Sequence, residues 1–377
     1  FLNLNTCRFL WKQVKFPTAT DASNTTAQVL KQGEVQGSDV AAHSAGVLDI
    51  KTTILPDADA LFLTAIDRYG HELWRWTFPV NKLNQANEVL SPLSNKVTST
   101  ETENELTVKA KNHTFIFSKK DGQLKGVSVN NRKISFANGP RFIGARRADR
   151  SLDQFYNHDD EKAKEKDRTY SEFPDAAVFT KLDVKEDGGN LIVTANYKLG
   201  NLDKVQWTIN PNGEAVLDYT YNFSGVVDLM GICFDYPEDQ VISKRWLGAG
   251  PYRVWQNRIH GTQYDVWEND YNDPIPGETF TYPEFKGYFG SVSWMNIRTK
   301  EGTISLTNET PDAYIGVYQP RDGRDRLLYT LPESGISVLN VIPPVRNKVN
   351  STDLCGPSSQ PKWVNGPQTG RVIFRFM

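Results

Sequence analysis

The sequence predicts an all-β protein in two units: a small sheet-like unit over residues 1–80 and a large antiparallel β-sandwich over 105–377, joined by a linker at 81–104. Three observations carry this. Nearly every patterned segment alternates apolar and polar residues, the period of a half-buried strand. The alternating runs are punctuated by turn-forming pairs such as Asp121-Gly122, Asn130-Asn131 and Asn212-Gly213. No stretch long enough for a three-turn amphipathic helix shows helical spacing.

In the first unit, Phe9–Val14, Ala60–Ala65 and Leu73–Phe78 read as strands. About four or five strands fall short of the seven of an immunoglobulin-like sandwich, so the unit reads as such a sandwich, incomplete at its start. The chain opens on Phe1, with no charged-then-apolar leader, and reads as a piece of a longer protein. Residues 81–104 are polar and rich in Asn, Ser and Thr, as in a linker. Beyond it, Leu106–Lys111, Thr114–Ser118, Leu124–Val129 and Lys133–Phe136 form a meander. The same grammar returns over 181–223, with Leu191–Tyr197 and Ala215–Tyr221, and closes with Arg371–Phe376. His158–Arg168 is a charge run without an apolar stripe, a solvated loop.

A formal net charge of -2 excludes the electrostatic footprint of a nucleic-acid binder. No apolar run approaches the roughly 20 residues of a membrane-spanning helix. Cys7, Cys233 and Cys355 form neither a disulfide framework nor a zinc pattern and read as buried thiols, so they do not report the compartment. A bacterial periplasmic or extracellular setting is the reading retained. The five histidines lack metal-ligand spacing, and no phosphate loop, dinucleotide fingerprint or nucleophile elbow occurs. No cofactor and no metal are expected. Glycosidases need two facing carboxyls. Asp265, Glu268, Asp270, Asp273 and Glu284 supply acids, but nothing marks a pair. Trp267, Tyr271 and Tyr282 are sugar platforms or half-buried strand residues.

The richest stretch is Trp246–Arg258. Gly248, Gly250 and Pro251 break regular structure and shape a loop presenting Arg253, Trp255, Asn257 and Arg258. An aromatic face with cationic and amide donors suits a sugar; the alternative is a structural turn closing a sheet.

Leu247-Gly248-Ala249-Gly250-Pro251 with Asn257-Arg258 downstream resembles the Gly-x-Gly-Pro-x-Glu-x-x-x-Asp-Arg loop of family 2 β-galactosidases. Pro283–Gly287 before Ser293-Trp294, and Gly122–Pro140, are similar to further segments of that family's large C-terminal domain. Phe1–Phe78 resembles the sandwich that precedes it. The resemblance implies a galactose-mutarotase-like β-supersandwich. It also implies a catalytic TIM barrel upstream, outside this chain, whose active-site rim this part completes. Rim contacts then fall to Arg253, Trp255, Asn257 and Arg258, and to Trp363 near the end, with no catalytic residue among them. Arg253 stands where the family has Glu, and Arg146–Asp153 replaces an Arg-Ala-Pro-x-Asp-Asn-Asp segment; an added cation suits an acidic or branched polysaccharide.

The implied function is that of a non-catalytic C-terminal part of a β-galactosidase-like glycosidase acting on terminal β-linked sugars. The partner is a carbohydrate held by the upstream barrel; nucleic acid and membrane are excluded, and homo-oligomerisation stays open. The alternatives are a carbohydrate-binding or scaffold module without a catalytic role, and a self-contained enzyme pairing His260 with Glu268.

Overall fold

A computed structural model describes residues 3–21, 26–80, 96–147, 170–270, 287–317, 331–344 and 356–377. The first unit holds β1 (Arg8–Lys15), β2 (Gln28–Gln36), β3 (Ala60–Ile66) and β4 (Glu72–Pro79). They form one antiparallel sheet in the order β2-β1-β3-β4. Among the described residues this unit has a single sheet, where the sequence predicts a sandwich of two. The register puts Phe9, Trp11, Leu61, Leu63 and Ala65 on one face, with Trp74, Trp76 and Phe78 of edge strand β4. Val14, Ala60 and Phe62 line the other. The 48–55 segment covers part of the first face: Leu48 packs on Phe9 and Ala65, and Gln13 exchanges hydrogen bonds with Thr53 and Leu55.

The second unit begins earlier than expected. Val97 is in its core, and β5 (Thr98–Glu101) is a strand inside the expected linker. There follow β6 (Glu105–Ala110), β7 (His113–Ser118), β8 (Leu124–Val129), β9 (Arg132–Ile134), β10 (Ala137–Arg147) and β11 (Tyr170–Glu172). Next come β12 (Val178–Asp187), β13 (Asn190–Lys198), β14 (Leu202–Ile209), β15 (Ala215–Val227), β16 (Leu229–Asp235), β17 (Val241–Gly250) and β18 (Gln263–Asp270). The last are β19 (Trp294–Thr299), β20 (Gly302–Asn308), β21 (Tyr314–Val317), β22 (Ile336–Val341) and β23 (Lys362–Phe376).

Two sheets result. One runs β21-β22-β16-β10-β8-β7-β6-β5, with β9 and β11 on its side; the other runs β12-β13-β14-β15-β23-β20-β19-β17-β18. Every ladder between named strands is antiparallel. Asn130 and Asn131, both at positive φ, close the β8–β9 hairpin with the twist that two-residue turns require.

The alternating apolar positions of both sheets meet in one large core. At its centre the Phe136 and Phe234 rings stack at 4.5 Å, with Trp207 and Phe374 around them. Burying these aromatics removes roughly 150–250 Å² each from water and is the main stabilising term of this unit.

Parts of both outer faces are also covered, which explains runs without alternation. In β16, Met230, Ile232 and Phe234 face the central core, whereas Leu229 and Cys233 face a second cluster on the back of that sheet. On the back of the other sheet, Leu247 and Trp294 pack against Val14, Phe16 and Phe62 of the first unit. The Trp294 indole donates to Pro17 O at 3.1 Å, Asn296 to Ala19 O at 2.7 Å, and Arg75 pairs with Asp265 at 2.8 Å. The two units share a joint core. Cys7 and Cys233 are buried free thiols; Cys355 lies outside the described residues.

Candidate functional site

The Gly248–Arg258 stretch divides differently from its sequence reading. Gly248 and Gly250 do not break the structure; they sit in β17, paired with Asp265 and Gln263 of β18. They serve close approach. A Cβ on Gly248 would lie 3.0 Å from Gly290 O, and one on Gly250 would strike the Trp267 indole. That indole donates to Gly248 O and Gln263 O, both at 3.1 Å, so Trp267 staples the strand end. The loop proper starts at Pro251.

Val254 and Tyr288 exchange backbone hydrogen bonds of 2.7 and 2.8 Å, and Trp255 and Arg258 close a tight turn. The side chain of Trp255 is buried, at 1% exposure, not half-open as a rim residue would be. Its ring meets Tyr288 edge-on at 5.7 Å, within the cluster that covers β10, β16 and β22. The Trp255 Nε1 has no hydrogen-bond partner among the described residues. Burial also holds the Tyr288 hydroxyl well above its ordinary pKa, with the neighbouring Tyr170 adding to the shift. Arg253 is equally inward, 4% exposed, its guanidinium 5.3 Å from the Phe289 ring centre.

The same loop is clamped to a distant segment. Gln256 N donates to Pro343 O at 3.0 Å, Gln256 Nε2 to Gln360 O at 2.7 Å, and Asn257 Nδ2 to Ser359 Oγ at 3.3 Å. Trp363 follows shortly, 70% exposed at the start of β23. The structure therefore brings Gln256 and Asn257 together with Ser359 and Gln360. Arg258 is exposed, as are Tyr252 before it and Lys362 and Trp363 on β23, and Asn257 is half-buried. Sequence reasoning missed Gln256, Ser359, Gln360 and Tyr288. Partners a hundred residues apart leave no local signal.

The acids behave as fold residues where described. Burial raises the Asp265 pKa, and the Val266 amide and Arg75 offset part of that rise. Glu268 and Asp270 are exposed on β18. His260 lies beyond Gln263 and is exposed, whereas Glu268 is five residues further down the strand from Gln263. At about 3.3 Å per residue, that segment alone spans roughly 17 Å, and no contact between the two is seen among the described residues. Asp273, Glu284, Tyr271, Tyr282 and the 158–168 charge run lie outside the described residues. No group of three His, Cys, Asp or Glu gathers as a metal set among the described residues. A cavity of ≈ 330 Å³ lies elsewhere, over β14, β15 and β23, where Arg371 bridges Asp218 and Glu309.

A family model for "Beta galactosidase small chain" matches residues 109–342, well over half of the chain. The chain belongs to the β-galactosidase small chain family. No curated protein sequence matches it. Among solved structures, galactose 1-epimerase from Lactobacillus acidophilus NCFM is similar at 10% identity and a TM-score of 0.42, covering 75% of this chain and 99% of its own. A putative mutarotase from Salmonella typhimurium gives 10% identity and a TM-score of 0.34, covering 74% and 92%. The small-chain match spans most of the large unit, including the strand end at Gly248–Gly250 and the loop after it.

Proposed function

We propose that this small-chain protein is the non-catalytic part of a β-galactosidase-like glycosidase of family 2, acting on terminal β-linked sugars. Its catalytic carboxylates belong to a TIM barrel outside residues 1–377. The 251–258 loop and Trp363 supply contacts to the rim of that barrel's active site. The observation that supports this reading is the clamp of Gln256 and Asn257 onto Ser359 and Gln360, which ties the sugar-suited loop to the segment preceding Trp363 in sequence.

In this role Trp363 offers its indole face to pyranose C–H groups, worth roughly 1–2 kcal/mol. Arg258 and Asn257 donate to ring hydroxyls or to a uronate. Trp255 and Arg253 contribute through the loop they hold from beneath.

The test pairs this chain with the barrel-bearing chain. Alone, this chain gives no aryl β-galactoside turnover above a buffer blank. With the barrel, Trp363→Ala or Arg258→Ala lowers kcat/KM roughly 5- to 30-fold, as a ΔΔG‡ of about 1–2 kcal/mol requires. Turnover by the repurified chain alone, or rim variants with unchanged kinetics, would overturn the reading.

A further inference from the structure

The cavity of about 330 Å³ over β14, β15 and β23 has a local cause. On the outward side of the sheet, Thr220 of β15 faces Thr369 of β23, two short side chains. Lys204, Gln206 and Arg371 around them are longer, so a hollow opens over the pair. One wall is fixed. Arg371 Nη1 donates to both oxygens of Asp218, at 2.7 and 2.8 Å, and Nε lies 2.9 Å from Glu309 Oε2. The Thr310 hydroxyl accepts from Arg371 N at 2.9 Å and donates to Arg371 O at 3.1 Å, which holds the backbone beneath. These contacts use Nη1 and Nε; the Nη2 donors and further lone pairs on both carboxylates are left over. The Arg371 side chain is 48% exposed, so a ligand can reach them. The Lys204 and Gln206 side chains, which also line the hollow, make no hydrogen bond or ion pair among the described residues.

Three properties decide what fits. The charges of Lys204, Asp218, Arg371 and Glu309 cancel, so neither an anion nor a cation is selected. Tyr219 is buried, so its ring offers no open face to a flat or apolar ligand. The volume lies at the lower end of the roughly 300–1,000 Å³ of small-molecule sites. A hydroxyl both donates and accepts, and donors beside acceptors on a rigid wall match two adjacent hydroxyls. We propose that this cavity binds a single neutral pyranose ring through two such hydroxyls. One donates to Asp218 or Glu309 and accepts from Arg371; the other meets Lys204 and Gln206. The site shares no residue with the 251–258 loop or Trp363 and needs no barrel, so it goes beyond the rim reading and does not depend on it.

The experiment titrates the full chain with methyl β-galactopyranoside and methyl β-glucopyranoside and reads saturation transfer by NMR. The expected result is binding of at least one of them with a Kd on the order of 1–10 mM, as about a dozen heavy atoms without a stacking platform allow. Thr369→Trp, which fills the hollow, weakens it at least about 10-fold. Lys204→Ala/Gln206→Ala removes side chains the fold does not use and weakens it roughly 10-fold, so a Thr369→Trp chain that fails to fold leaves the test intact. Trp363→Ala leaves the affinity unchanged. No saturation of either sugar at about 50 mM overturns the proposal. So does an unchanged affinity in Lys204→Ala/Gln206→Ala. Saturation that is lost in Trp363→Ala and kept in Thr369→Trp places the sugar at the rim, which overturns this site while the rim reading stands. Inorganic phosphate that displaces the sugar at equal concentration makes the hollow an anion site and overturns the neutral ligand.

Discussion

At the scale of single residues, the two tryptophans of the candidate site play opposite parts. Trp255 is enclosed by Tyr288 and the back of the β10/β16/β22 sheet, whereas Trp363 stands in solvent. Trp255→Ala is therefore expected to cost about 3–5 kcal/mol of folding stability, as truncation of a buried aromatic does. Trp363→Ala should stay within about 0.5 kcal/mol of the parent. Chemical denaturation of both variants checks this; equal midpoints would refute the assignment. The residue types of the site were legible in the sequence, because a Gly-x-Gly-Pro stretch followed by Trp, Asn and Arg is compositionally unusual. The burial of Trp255 was not legible. It is created by Tyr288, Leu339 and Ile342, which reach it only through the tertiary fold.

At the scale of elements, hairpins were the most readable feature, since turn chemistry is local. The strand after Asn130-Asn131 and those flanking Asn212-Gly213 form where the pattern puts them. β2 escaped notice because Gln28–Gln36 is an exposed edge strand with Lys, Gln and Glu in place of alternation. The β17–β18 hairpin carries the clearest consequence for pH. Tyr264 of β18 sits against Phe16 at 5.6 Å, its hydroxyl 2.6 Å from Ser293 Oγ. Burial pushes its pKa up to about 12, with the Ser293 contact pulling the other way. The folded chain keeps a proton that the unfolded chain releases near pH 10. This contribution is intact below pH 10 and is lost as the pH rises toward 12. Tyr264→Phe should remove about 2–3 kcal/mol from the loss of stability between those values. Denaturant titrations of both proteins at pH 9 and pH 11.5 measure the difference. Parallel losses would show that Tyr264 titrates normally in the fold.

At the scale of the whole molecule, two units were expected and a joint core was not. The contacts of Val14, Phe16 and Phe62 with Leu247 and Trp294 cross more than two hundred residues of sequence, which no local pattern reveals. Polar composition still marks 81–95 as the place for a protease to enter. Brief digestion should cut there and yield a fragment of roughly 280 residues. The nicked protein should nevertheless elute from gel filtration as one species, held by this interface and by the Arg75–Asp265 pair. Separation of the pieces without denaturant would mean that the joint core is too weak to hold them.

The position of β23 has a consequence for synthesis. This strand lies between β15 and β20, in the middle of its sheet, and pairs along the full length of β15. Until it leaves the ribosome, β12–β15 and β17–β20 are two half-sheets, each with an open seam of unpaired amides and carbonyls. Translation of the roughly 135 residues between β15 and β23 takes on the order of ten seconds, during which the β15 seam is exposed to other nascent chains, joined by the β20 seam once Asn308 has been added. The growing polypeptide is therefore expected to be most prone to aggregation over that interval, and rare codons placed between 228 and 361 would lengthen it.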